Sequence, residues 1–110
     1  MRRVKVFMHQ YWAGDLWEDE NGCHFQYKMD YLNKNNPEPI SVTMPLQPEV
    51  FNSNVLFPFF DGLIPEGWLL HIAEKNWKIN LRDRMGLLMV CCIDCIGAVS
   101  IIPDETKEIE

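Results

Sequence analysis

The sequence predicts an α+β domain: a small antiparallel sheet or open barrel with two helices packed on one side. Three observations lead there. Apolar and polar residues alternate in three short segments near the N-terminus, which is the spacing of half-buried strands. Two later segments, opening at Pro65 and at Asn80, repeat their apolar residues three and four apart, as one face of a helix does. The chain of 110 residues is long enough for one core and too short for two.

In chain order, Val4, Val6 and Met8 alternate with Arg3, Lys5, Phe7 and His9 as a first strand. A turn near Gln10-Tyr11 leads into a second strand through Ala13–Trp17, where alternation permits only one of Trp12 and Trp17 on the inner face. The polar run from Glu18 ends in Asn21-Gly22, a pair favoured at hairpin turns. Cys23, Phe25 and Tyr27 then alternate as a third strand, completing an antiparallel meander. Asp30–Leu32 reads as one helical turn, and Asn33–Pro39, with two prolines and three asparagines, as a loop. Ile40, Val42 and Met44 alternate with Ser41 and Thr43 as a fourth strand that Pro45 ends, whereas Leu46–Asn54 has no sustained period and reads as a loop.

Pro65 suits the first position of a helix and Glu66 complements its dipole; Leu69, Ile72, Ala73 and Asn76 share the Pro65 face. Asn80 is the expected cap of the second helix, with Asp83 in the place of the capping-box acid and Leu81, Met85, Leu88 and Cys92 as the inner stripe. Ala98–Ile102 reads as a final strand stopped by Pro103. The domain therefore spans residues 1–103, and 104–110 is a charged tail expected to fray.

Composition narrows the function. The formal net charge is −6 and no dense basic cluster occurs, which argues against a grip on DNA or RNA. No apolar run approaches the roughly 18 residues of a membrane span. The start, Met1-Arg2-Arg3-Val4-Lys5-Val6, has no apolar signal region behind it, so a cytoplasmic location is expected. Four cysteines (Cys23, Cys91, Cys92, Cys95) are expected as reduced thiols. Cys92-Ile93-Asp94-Cys95 has no second C-x-x-C to complete a zinc site, although Cys23-His24 offers further ligands; buried, inert thiols are the plainer reading, and no metal or cofactor is expected. His9, His24 and His71 are scattered, and no serine or cysteine pairs with them in a recognisable catalytic arrangement.

Three stretches together carry a resemblance. Ile40-Ser41-Val42-Thr43-Met44-Pro45-Leu46 is similar to the S-L-S-L-P-L strand of HipA-type toxin kinases. Pro58-Phe59-Phe60-Asp61-Gly62-Leu63-Ile64-Pro65-Glu66-Gly67-Trp68 resembles their F-F-x-N-L-L-P-E-G segment, and Asp94-Cys95-Ile96-Gly97-Ala98-Val99 resembles their D-C-x-G-A-V segment. Order and spacing fit across nearly the whole chain. It departs at His9-Gln10-Tyr11-Trp12, where family members often have an Asn-Gly turn, and at Ile93, where a polar residue often stands. The resemblance is to the N-terminal subdomain of those kinases. No Gly-rich phosphate loop, H-R-D catalytic loop or D-F-G triplet occurs, so kinase activity does not carry over and no enzyme is expected.

The resemblance implies a free-standing, HipS-like antitoxin of a three-component system. It would bind and inhibit a HipA-like (HipT-type) serine/threonine kinase, with a DNA-binding HipB-like protein as a further member of the complex. The alternative is a structural module that assembles kinase and repressor without inhibiting. The candidate partner-binding residues are Trp68 with Pro65, Glu66 and Gly67 at the helix entry, Phe59 and Asp61 just before it, and Tyr11 with Trp12 in the first hairpin. Tryptophan at a helix entry is the kind of anchor that dominates interfaces, and the rim of the chain's own core is its other natural place. For Asp61 and Glu66, cap or dipole roles compete with binding.

Overall fold

The computed structural model describes residues 2–64, 83–91 and 99–103. Its strands are β1 (Arg2–Met8), β2 (Tyr11–Asp19), β3 (Gly22–Tyr27), β4 (Phe51–Ser53) and β5 (Val99–Pro103). They form one antiparallel sheet in the order β4-β3-β2-β1-β5. The expected meander is present, and the last strand returns to pair with the first, Val4 opposite Pro103 and Met8 opposite Val99. Three helical segments accompany it: α1 (Met29–Leu32), α2 (Pro58–Asp61) and α3 (Arg84–Cys91).

Alternation places the core as expected. Val4, Val6 and Met8 on β1, Leu16 on β2, Phe25 and Tyr27 on β3 and Ile101 on β5 are buried. Phe60 of α2 and Met85, Leu87 and Leu88 of α3 join them in one apolar cluster, so α2 and α3 close the same side of the sheet. The Phe25 and Phe60 rings meet at 5.7 Å.

Both hairpin turns are tighter than the sequence suggests. The first is His9-Gln10, with His9 at φ 57, so Tyr11 and Trp12 belong to β2. The second is Glu20-Asn21, where the Asn21 N–H donates to Asp19 Oδ1 at 2.8 Å and Gly22 follows at φ 122. Gly22 is needed twice over, since a Cβ there would also lie 2.3 Å from the Ser53 carbonyl oxygen.

Two neighbouring expectations are overturned. Ile40–Met44 is not a strand: Ser41 and Met44 bridge to each other across a tight turn. The Met44 N–H donates to the Ser41 carbonyl at 3.0 Å, and the Ser41 hydroxyl accepts the Thr43 N–H at 3.2 Å. These hydroxyl contacts give the backbone an alternative to a ladder. Ile40 and Met44 stay buried while Val42, which a strand would place beside them, is 95% exposed. The fourth strand lies instead within the stretch expected as a loop, where Phe51–Ser53 pairs with Cys23–Phe25. Three paired residues are too few to establish a period.

α2 was not foreseen; Pro58 occupies its first turn, where a missing N–H is harmless. The second expected helix is found as α3, and among the described residues Asp83 caps it. The Asp83 carboxylate accepts the Gly86 N–H at 3.2 Å and its carbonyl accepts the Leu87 N–H at 3.0 Å. Met85 and Leu88 face inward as expected, joined by Leu87. The helix expected from Pro65, together with Asn80, Leu81, Cys92, Gly97, Ala98 and the tail 104–110, lies outside the described residues.

Candidate partner-binding surface

The register of β1 and β2 shifts at one point. Val6 pairs with Gly14 and Phe7 with Trp12, leaving Ala13 as the extra residue of a β-bulge. Ala13 and Gly14 are consecutively buried, which strict alternation forbids. The bulge resets the parity of β2, so Trp12 and Trp17 both stand on the outer face, opposite Phe7 and Arg3 respectively. Gly14 must be glycine: a Cβ there would sit 2.4 Å from the Gln26 carbonyl oxygen and 2.8 Å from the Phe25 ring.

Basic side chains lie over these outer aromatics. Arg3 Cζ is 5.2 Å from the Trp17 ring centre. The Trp12 indole has Lys5 Nζ at 4.8 Å and Lys28 Nζ at 4.0 Å, and Phe7 stacks beside it at 6.3 Å. Its Nε1–H donates to the Gly14 carbonyl at 3.0 Å and to Asp15 Oδ1 at 3.1 Å, which fixes the ring. Around the corner, Lys34 Nζ lies 4.5 Å from the Tyr11 ring and 5.5 Å from Tyr31. Tyr11, Trp12, Lys28, Asp30, Tyr31 and Lys34 together line an open cleft of about 280 Å³. Both Tyr11 and Trp12 are exposed, at 46% and 36%.

The other two described basic residues are used internally. Arg2 holds Glu18, its cross-strand partner, and donates to both oxygens of Asp83 at 2.8 Å, tying the sheet to the α3 cap. The Arg2 guanidinium holds the Asp83 carboxyl below the usual carboxylate range. Arg84 Nε donates to Asp61 Oδ1 at 2.5 Å and joins α3 to α2. Asp61, a candidate contact residue, is therefore engaged within the domain. Phe59 is half-buried, with its ring 5.2 Å from Phe60. Trp68, Pro65, Glu66 and Gly67 lie outside the described residues, as does His71.

At the far end of the outer face, His24 stacks near Trp17 at 5.5 Å and bonds Asp19 at 2.9 Å and Asn52 at 2.6 Å. These two partners raise the His24 pKa, Asp19 the more. A second depression, of about 460 Å³, includes Glu18, Asp19 and Asp83 in its lining. Those carboxylates are already held by Arg2 and His24. Among the described residues no group of three His, Cys, Asp or Glu side chains is placed to hold a metal ion. Cys23 is a free thiol, buried on the inner side, and burial pushes its pKa up, which disfavours the reactive thiolate.

With the geometry in place, comparison with known proteins decides the family. Residues 4–102 match the model described as the HipA N-terminal domain. The chain belongs to that family. A solved structure of the N-terminal domain of HipA toxin superposes on this HipA N-terminal domain with a TM-score of 0.76 and 33% identity, covering 96% of this chain and 94% of that one. An uncharacterised protein of Haemophilus influenzae is 37% identical over 101 residues, 92% of each chain. Y4mE of Sinorhizobium fredii, classed provisionally as a kinase, is 28% identical over 99 residues; the match takes in 89% of this chain and only 24% of Y4mE. The open five-stranded antiparallel sheet with helices on one side is thus the architecture of the HipA N-terminal domain.

The sequence singled out Tyr11 and Trp12 as candidates, but not their surroundings. Nothing local announces that Lys5, Lys28 and Lys34 converge on them from β1, the end of β3 and the segment after α1. The small pair Ala13-Gly14 was the available signal for a bulge.

Proposed function

We propose that this HipA N-terminal domain is a HipS-like antitoxin, which binds a HipA-like serine/threonine kinase and suppresses it by contact alone. The observation that carries the reading is that the Haemophilus influenzae relative, 37% identical, is matched by this domain over 92% of its own length. In Y4mE the matching region is a minor part of a much longer protein. A domain that serves a kinase as part of the same chain carries on its surface the contacts that hold it there. Supplied separately, it can make such contacts in trans and hold the kinase in an unproductive arrangement. The reading includes no chemistry by this chain and a cytoplasmic site of action, with a DNA-binding HipB-like protein as a further partner.

The exposed aromatics support a binding role, since rigid aromatic side chains bury much area for little lost conformational entropy. The test is co-purification with a HipA-like kinase, followed by phosphorylation assays with and without this chain. A stable complex with suppressed phosphorylation is expected. Trp68→Ala should weaken it by about 2 kcal/mol, roughly thirtyfold, if Trp68 anchors the interface. A stable complex with full kinase activity would replace inhibition with scaffolding, and the absence of any complex would leave the fold without this function.

A further inference from the structure

Every described cation of this domain is either paired with a carboxylate or held over an aromatic ring. Arg2 and Arg84 are of the first kind. Arg3, Lys5, Lys28 and Lys34 are of the second, and among the described residues none of these four lies within ion-pair reach of a carboxylate. In a chain of net charge −6 this is an unusual segregation. Three of the four, Lys5, Lys28 and Lys34, gather at the Tyr11–Trp12 end of the sheet.

A ring face stabilises an ammonium group on one side only, and each lysine carries three donors. Among the described residues, the only hydrogen bond from these three ammonium groups goes from Lys34 to the Asn35 carbonyl, at 3.1 Å. Three carboxylates stand nearby and count against an anion, one of them Glu38, whose charge reaches the Tyr31 phenol. Asp30 lines the cleft, while Asp15 accepts the Trp12 indole N–H. Of the side chains that line the cleft, Lys28 and Lys34 stand against the single carboxylate of Asp30, which leaves the lining positive. Its floor and wall are flat rings held in place, Trp12 by its indole hydrogen bonds and Tyr31 by stacking on Tyr27 at 6.1 Å.

We propose that this cleft takes a carboxylate-bearing segment of a partner protein, seated against Tyr11 and Trp12 with its acidic side chains on Lys28 and Lys34. The proposal rests on the reading of this chain as a binding protein and not on the identity of the partner. The rings supply contact area at low entropic cost, and the paired lysines supply orientation and a charge preference. Asp30, which lines the same cleft, opposes a bound carboxylate and so limits the affinity.

The test is a titration of the whole chain, followed by NMR at the Trp12 indole N–H and the backbone amides of residues 28–34. The probe is an end-capped hexaglutamate peptide, with capped hexaglutamine and inorganic phosphate in parallel. Saturable shifts at these sites are expected with hexaglutamate alone, weakening as salt rises. Lys28→Gln with Lys34→Gln should weaken binding about tenfold, and Asp30→Asn should tighten it about threefold, as expected for exposed charge pairs. The Asp30→Asn gain guards against a double variant that merely disturbs the fold. Equal binding of hexaglutamine, equal binding of phosphate, or indifference to all three substitutions would each overturn the proposal. The titration contains no kinase, so its failure and a failed kinase co-purification are separate results.

Discussion

Tyr27 shows how one side chain organises a loop that has no regular structure of its own. Its ring is buried on the inner face, 2% exposed, and its hydroxyl accepts the Ile40 N–H at 3.0 Å and donates to the Met44 carbonyl at 2.5 Å. Burial pushes the phenol pKa up, so the hydroxyl keeps its proton and can serve both partners. Tyr31 does the same for Glu38, donating to its carbonyl at 2.6 Å and accepting its N–H at 3.2 Å. Tyr27→Phe removes one atom and leaves two buried backbone groups unpaired. The expected cost is about 2 kcal/mol in urea unfolding at neutral pH. Tyr31→Phe, whose hydroxyl is only partly covered, should cost less. Equal stability of Tyr27→Phe and the parent would mean that the turn at Ile40–Met44 is held by something else. The sequence placed Tyr27 on the inner face, but the use of its oxygen depends on a segment 13 to 17 residues away.

At the scale of elements, α3 is positioned by its cap as much as by its apolar stripe. Asp83 bonds the Gly86 N–H and also receives two hydrogen bonds from Arg2 of β1, so one carboxylate starts the helix and locks it to the sheet. Asp83→Ala should cost about 1 kcal/mol at pH 7, chiefly through the cap, because the partly exposed ion pair is screened. The pH dependence follows from the direction of the shift. The Asp83 pKa is lowered in the folded state. Its contribution is therefore complete above the unfolded value, about 3.9, and fades as pH falls through the lower folded value. The gap between parent and Asp83→Ala should narrow in urea titrations taken from pH 7 down to pH 3, and a constant gap would contradict the assignment. The β2 bulge works at the same scale: one extra residue turns two tryptophans outward and creates the surface on which the candidate cleft depends.

Across the whole molecule, one apolar cluster joins the inner sheet face to α2 and α3, and Phe60 sits where they meet, fully buried against Phe25, Phe57 and Phe59. A domain this small has about 5–15 kcal/mol of net stability, and truncating a buried phenylalanine costs about 3–5 kcal/mol. Phe60→Ala should thus remove a large share of the stability, seen as a sharply lowered thermal midpoint, and a shift of only a degree or two would show that the core is not one unit. The charges divide as the core does. Cations facing the inner side and α2–α3 are spent on carboxylates, while those on the outer face and around the cleft rest on rings.

The sequence by itself determined the α+β class, the three-stranded meander, the inner residues of β1 and β3, and the family. Each depends on alternation or on contiguous motifs, which neighbouring residues carry among themselves. It also pointed to Tyr11 and Trp12, because large aromatics at a hairpin stand out locally. Only the tertiary structure decided that Ile40–Met44 turns while Phe51–Ser53 pairs. A five-residue alternation is compatible with either, and the choice rests with the Tyr27 hydroxyl and the edge of β3. Only the tertiary structure, too, put both tryptophans on the outer face and brought three lysines to the cleft. A bulge changes parity without changing composition, and cations distant in sequence meet a ring only once the strand register has brought them there.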